Sequence, residues 1–154
     1  MPRLVKFKDQ SIITYTYAAD GTKLRVEHKI GSSTTRTTYC NNVIYEDGTA
    51  KCLLTEEGYV SLNDREYHYY LKDHQGNNRV LVNKNGGVEE INHYYPFGGV
   101  FASEENLQPY KYNGKELDAK KGLNWYDYGA RQYDAALGIF TTVDPSSERY
   151  YSTS

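Results

Sequence analysis

The sequence has 154 residues, about one domain's worth of chain, and its 18 Lys and Arg against 20 Asp and Glu leave a formal charge of −2. So small a charge supplies no field to gather a phosphate backbone, which speaks against electrostatic binding of nucleic acid. Leu, Ile, Val and Phe contribute only 30 residues while Tyr alone contributes 17, and a chain this aromatic and this nearly neutral is a tyrosine-dependent globular domain, not a disordered one.

The first ten residues, MPRLVKFKDQ, place lysines and an aspartate where a signal peptide needs an apolar stretch. The longest run without Asp, Glu, Lys or Arg, Ile91 to Ser103, contains Pro96, Gly98 and Gly99 and is shorter than the ~20 apolar residues of a membrane helix. The expectation is a chain without membrane insertion and without its own export signal, so that any export depends on a longer parent.

Along the chain, period-2 patterning dominates. Ile13, Tyr15 and Tyr17 alternate with threonines, Ala18-Ala19-Asp20-Gly21 supply a turn, and Leu24-Val26-His28 alternate with Lys23-Arg25-Glu27. The pattern returns as Val43-Ile44-Tyr45, Glu46-Asp47-Gly48 and Lys51 to Leu54. It returns again as Tyr67 to Leu71, Lys72-Asp73-His74-Gln75-Gly76 and Arg79 to Val82, before Asn83 to Gly87 turn the chain into Val88 to Tyr95. Gly21, Gly48 and Gly76 stand 27 and 28 residues apart, each after a Tyr and an Asp and before a basic residue. Repeats of this period mean arrayed supersecondary units that bury their faces only against neighbours. Helical turns are expected only at Ser103 to Leu107 and Lys115 to Lys121. The last third ends in one more unit: Tyr126, Tyr128, Gly129, Arg131, Tyr133, Asp134, Gly138 and Phe140.

Tyrosine suits such hairpins because its ring covers apolar area while its hydroxyl reaches water or a partner. Asp bonds the local backbone of a turn, Gly takes positive φ without a clash, and a following Lys or Arg is expected to pair with that Asp or a neighbouring turn. Residues with chemical potential are few. Cys40 and Cys52 lack a CxxC or His partner and are expected to be idle thiols, with one disulfide as the alternative. His68, Asp73 and His74 fall on a strand and a turn without metal-ligand spacing, and His93 reads as packing at a sheet edge. Adjacent carboxylates at Glu56-Glu57, Glu89-Glu90 and Glu104-Glu105 read as solvated turns, because neighbours on a strand face opposite ways. No nucleophile elbow occurs. The aromatic strips Tyr67-Tyr69 and Tyr126-Tyr128 are expected in the core, with a sugar-stacking platform as the alternative.

Residues 67–82 (YHYYLKDHQGNNRVLV), 93–99 (HYYPFGG), 110–140 (YKYNGKELDAKKGLNWYDYGARQYDAALGIF) and Asp144-Pro145 together resemble the Rhs repeat-associated core domain of bacterial Rhs and YD-repeat proteins. Residues 9–60 resemble looser YD repeats. The resemblance divides the chain into YD-type hairpins at 1–66, a core-like region at 67–145 and a tail at 146–154. It implies an all-β fold of consecutive hairpins in a curved, partial β-shell, with at most two short helical turns. In the family such shells enclose a C-terminal toxin or serve adhesion at the cell surface. Two departures stand out: Ile139 replaces the Arg after the last glycine, and Ala135 replaces the Pro after Tyr133-Asp134. Asp134 and Asp144 match the positions of autoprotease acids in self-cleaving members, but a Ser-rich stretch follows Asp144-Pro145 where those members have glycines.

The resulting expectation is a structural module without catalytic residues, cofactor or metal. Its repeat residues are Tyr15, Tyr17, Asp20, Gly21, Tyr45, Asp47, Gly48, Tyr67, Tyr69, Asp73, Gly76 and Arg79, with the terminal unit above and Asp144-Pro145. Its expected partners are the rest of a longer chain or a toxin cargo, with surface glycan as the alternative. Unpaired strand edges predict self-association, and the parent is expected at the cell surface or outside the cell.

Overall fold

The structure, a computed structural model, describes residues 3–103, 107–144 and 147. Eleven strands follow one another as antiparallel neighbours in a single sheet: β1 (Leu4–Lys6), β2 (Ile12–Tyr17), β3 (Lys23–Ile30), β4 (Ser33–Cys40), β5 (Val43–Glu46), β6 (Thr49–Leu54), β7 (Gly58–Ser61), β8 (Glu66–Lys72), β9 (Asn78–Asn83), β10 (Val88–Tyr94) and β11 (Val100–Ser103). The meander is open, with β1 and β11 as its edges, and it runs unbroken through residues 66 and 67. A second antiparallel sheet holds β12 (Glu116–Asp118), β13 (Trp125–Asp127), β14 (Gln132–Asp134) and β15 (Ile139–Phe140). The named helical elements among the described residues are two 3-10 turns, Tyr112–Gly114 and Lys120–Gly122, within an all-β fold. The helical turn expected over Lys115 to Lys121 is displaced: Glu116–Asp118 pair with β13, and Asn113 and Lys121 take positive φ (49° and 56°), which breaks any longer helix. Residues 104–106 of the other expected turn, Pro145 and most of the tail lie outside the described residues.

One turn geometry recurs. In residues 7–11, 18–22, 73–77, 83–87 and 95–99 the first residue donates its N–H to the carbonyl of the fifth, and the fourth donates to the carbonyl of the first. The fourth residue has positive φ, from 66° at Gln10 to 90° at Gly21, which is why glycine fills it in four of these five turns. The aspartates cap these turns as expected: Asp20 accepts from the Thr22 N–H at 2.9 Å, and Asp73 from the Gln75 and Asn77 N–H groups at 3.0 and 3.1 Å. Gly48 belongs to a different turn, a two-residue loop in which Asp47 (φ 47°) and Gly48 (φ 84°) are both left-handed. The apparent 27- to 28-residue repeat therefore joins two turn types.

Register shifts follow these turns with equal regularity. Leu24, Lys51, Arg79, Glu89 and Phe101 are extra residues on the strand after the turn, each three positions beyond Gly21, Gly48, Gly76, Gly86 and Gly98. A bulge at this place strengthens local twist and reverses which face the following residues take. At β7 the strands approach without any bulge: a Cβ on Gly58 would lie 1.9 Å from the His68 carbonyl oxygen, so only glycine fits.

Candidate functional site

One face of the meander receives the chain that follows β11. Tyr15 of β2, His28 of β3, Tyr39 of β4, Tyr59 of β7 and Tyr70 of β8 line a cavity of about 910 Å³ that is covered by residues from Leu107 to Lys120. Alternation dictates this lining, since Ile13, Tyr15, Val26 and His28 are buried while the residues between them are more exposed.

Charged and hydroxyl-bearing side chains stand among the apolar ones in this lining, and several of them pair between the two sheets. Asp118 of β12 accepts the Tyr15 hydroxyl at 2.7 Å and meets His28 Nε2 at 3.1 Å. Burial raises the Asp118 pKa, but the His28 and Tyr15 contacts more than offset it and hold the carboxyl below its usual range. Lys23 of β3 reaches Glu116 at 2.8 Å and Asp127 at 2.6 Å, with its ammonium 4.5 Å from the centre of the Tyr39 ring. Tyr39 donates to the other Glu116 oxygen at 2.5 Å. Burial depresses the Lys23 pKa, yet the two carboxylates outweigh it and raise it overall. The Tyr15, Tyr39 and Tyr110 hydroxyls are pushed well above the ordinary tyrosine value, chiefly by burial and then by Asp118 or Glu116.

A second junction is almost dry. Glu90 of β10 and Lys111 are both fully buried and form an ion pair. The same carboxylate accepts from Asn92 Nδ2 at 2.6 Å, the Leu107 N–H at 2.7 Å and Gln108 Nε2 at 3.0 Å. Burial raises the Glu90 pKa and these donors, Lys111 foremost, lower it further than burial lifts it. Nearby, Asn78 binds the backbone of Tyr110 through Nδ2 at 2.8 Å and that of Lys111 through its N–H at 3.1 Å. A third contact fixes the loop 95–99. Tyr126, fully buried, donates to the Gly98 carbonyl at 2.9 Å, and a Cβ on Gly98 would stand 2.4 Å from the Tyr112 ring.

The residues singled out in the sequence distribute unevenly over this frame. Tyr15 and Tyr17 face the junction, with rings 6.4 Å apart. Tyr67 and Tyr69 do not belong to the core: they stack 6.5 Å apart on the outer face at 51% and 42% exposure, because pairing of Tyr59 with His68 turns His68 and Tyr70 inward. Tyr45, half-buried, lies on the same outer side as the residue between the cavity-lining Ile44 and Glu46. Tyr126 and Tyr128 form no open platform, since Tyr126 is buried and Tyr128 donates to Asn113 at 2.7 Å.

Of the basic residues after the turns, Lys51 meets Glu46 of its own turn at 3.7 Å, and the others pair differently from expectation. Lys23 crosses to the second sheet, Arg79 lies over the Tyr94 ring at 5.7 Å, and Arg131 meets Asp144 at 3.1 Å and the Phe140 ring at 3.8 Å. Asp134 is a turn acceptor, taking the Ala136 and Leu137 N–H groups at 2.9 and 3.2 Å, and its second oxygen accepts from Trp125 Nε1 at 3.2 Å. Gly129 and Gly138 take positive φ at 79° and 69° as turn glycines do. Glu89 and Glu90 are no solvated turn: Glu89 meets His68 Nδ1 at 2.6 Å and Glu90 is buried, because the bulge at Glu89 redirects both. His93 packs on Phe101 at 5.7 Å, and both cysteines are free thiols, Cys40 exposed and Cys52 half-buried. Among the described residues, no group of three or more His, Cys, Asp or Glu is placed to hold a metal ion, and no helix is long and apolar enough to cross a membrane.

No protein-family model matches the chain. By sequence it is 33% identical to salivary gland surface protein 1 of Aedes aegypti over 93 residues, 58% of this chain and 3% of that protein. In three dimensions it superposes on a TcdB2-TccC3-Cdc42 crystal structure with a TM-score of 0.73 at 22% identity, over 92% of this chain and 8% of that one. TcdB2-TccC3-TEV gives 0.75 at 20% identity over 94% and 8%. The Photorhabdus luminescens Tc holotoxin pore gives 0.73 at 20% over 93% and 8%. The chain thus shares its fold with components of Tc toxins and spans less than a tenth of their length.

Proposed function

We propose that the chain is a non-catalytic structural module, the end part of an Rhs-type β-shell that encloses a polypeptide carried by a longer parent. The observation that carries this reading is the superposition over more than nine-tenths of the chain on Tc toxin components. The chemistry of the junction agrees with it. Its carboxylates hold Lys23, His28, Lys111 and tyrosine hydroxyls, which is how a wall is fastened to an end piece. Asp134, the counterpart of a family protease acid, is engaged in a turn and a tryptophan bond.

In the parent chain, the polypeptide that follows this segment should resist added protease, and removal of residues 67–144 should expose it. Equal digestion with and without the segment overturns encapsulation. Prolonged incubation of the 17.7 kDa chain should leave its intact mass unchanged, and a fragment ending near Asp144 overturns the non-catalytic part.

Adhesion is the second reading. The outward Tyr67-Tyr69 pair and the likeness to a salivary gland surface protein favour it. A glycan array probed with the wild type and Tyr69→Ala separates the two, since adhesion through these rings requires a signal that the variant loses.

A further inference from the structure

The two sheets bring unprotected edges to one place. β11 ends the meander and β15 ends the small sheet. Loop 95–99 joins them: the Phe97 carbonyl accepts the Tyr133 hydroxyl at 3.0 Å, the Phe97 ring lies 3.3 Å from where Gly138 would carry a Cβ, and Tyr95 packs on Phe101 at 4.9 Å. Around this junction Tyr95, Phe97, Phe101, Leu137 and Ile139 are between 53% and 68% exposed. At 150–250 Å² for a large aromatic side chain, the three aromatic residues alone present roughly 300–450 Å² at this exposure, and Leu137 and Ile139 carry the patch toward the upper end of what a monomer shows.

Charge sets these edges apart from the opposite one. β1 is flanked by Arg3 and Lys8 and includes Lys6, the protection that natural edge strands carry. Neither Ile91 to Ser103 nor Ala135 to Val143 contains an Asp, Glu, Lys or Arg. β12, the other end of the small sheet, has Glu116 bound to Lys23 and Asp118 to Tyr15 of the meander.

We propose that this junction is a self-association surface on which a second copy of the chain packs about a twofold axis. The patch is self-complementary in composition, with aromatic residues on the loop and β11 and aliphatic residues on and before β15. A twofold axis sets the first group of each copy against the second group of the other, satisfying both at once. The apolar area together with the open strand edges approaches the ~800 Å² per partner of a stable interface. Arg131, paired with Asp144 at 3.1 Å, supplies a polar rim.

Sedimentation of the 154-residue chain over a concentration series tests this. The wild type should be a dimer, and Phe97→Asp and Ile139→Lys should each raise the dissociation constant at least ~30-fold, as loss of a hot-spot side chain does. Tyr69→Asp, on the outer face, should leave the dimer intact. Should Phe97→Asp disturb the far-ultraviolet circular dichroism, Ile139→Lys carries the test, since Ile139 is exposed on a two-residue strand. A wild type that stays monomeric at every concentration overturns the proposal. So does a dimer that survives both substitutions, or one abolished by Tyr69→Asp.

Discussion

The meander and the four-stranded sheet draw on the same tyrosine-rich composition, yet different forces hold them in place. Within the meander each strand pairs with its neighbours in sequence, from β1 with β2 to β10 with β11, so its order is local backbone hydrogen bonding. The small sheet is joined to it mainly through side chains: Asp118 to Tyr15 and His28, Glu116 and Asp127 to Lys23, and Tyr126 to the Gly98 carbonyl. A ladder of backbone bonds is indifferent to most single substitutions, whereas a clamp of buried charges depends on each member.

Substitutions can break this contrast, beginning with the driest contact. Lys111→Met strands the buried Glu90 carboxylate without its cation and should cost about 3–5 kcal/mol in urea unfolding. Gly58→Ala attacks the meander instead. The methyl would meet the β8 backbone, and strands 7 and 8 must separate, at a cost of about 3 kcal/mol in the same assay. Lys23→Met should be milder at about 1–3 kcal/mol, because Glu116 keeps Tyr39 as a partner. Its signature is local: amide exchange should quicken in β12–β15 and stay unchanged in β5–β9. Uniform acceleration would mean that the two sheets form one cooperative unit. Tyr69→Ser, on the outer face, should change stability by less than ~0.5 kcal/mol.

Titration sharpens the same comparison from both ends of the pH scale. Asp118 and Glu90 sit below their usual pKa range in the folded chain, so the unfolded chain binds more protons in mild acid. Their stabilisation is complete above the ordinary carboxylate range and is lost as pH falls through the lowered values. Tyr15, Tyr39 and Tyr110 are raised instead, so their contribution is whole below about pH 10 and is lost as pH climbs beyond it. Ultraviolet absorbance of tyrosinate should therefore rise together with loss of the β signal. Independent ionisation of these rings in a still-folded chain contradicts their burial.

Much of the fold was legible because turns and alternation are local. Asp20-Gly21 and Asp73 to Gly76 announced their hairpins, and Ile13-Tyr15-Tyr17 announced a buried face. The direction of Tyr67 and Tyr69 was not legible, since alternation states which residues share a face and leaves open which face the rest of the chain will cover. Bulges add a second obstacle. The extra residue at Glu89 shifts the phase of β10, so that a pair resembling a solvated turn became one half of a buried ion pair. Lys111, the other half, lies 21 residues away with no periodicity to connect it. Lys23 likewise sits where a turn partner was expected and reaches Glu116, 93 residues on.

The bond from Tyr15 to Asp118 joins residues 103 positions apart, and that separation sets an order of events. Hairpins along the meander can close as they emerge, each over a short loop and on a fast timescale. Docking of the small sheet must wait for nearly the whole chain and close this separation of 103 residues. Refolding should therefore show two phases, strand formation first and burial of Trp125 and the tyrosine clamp later. During the interval the face that will line the cavity lies open to solvent, and that interval is when the chain is most prone to aggregate.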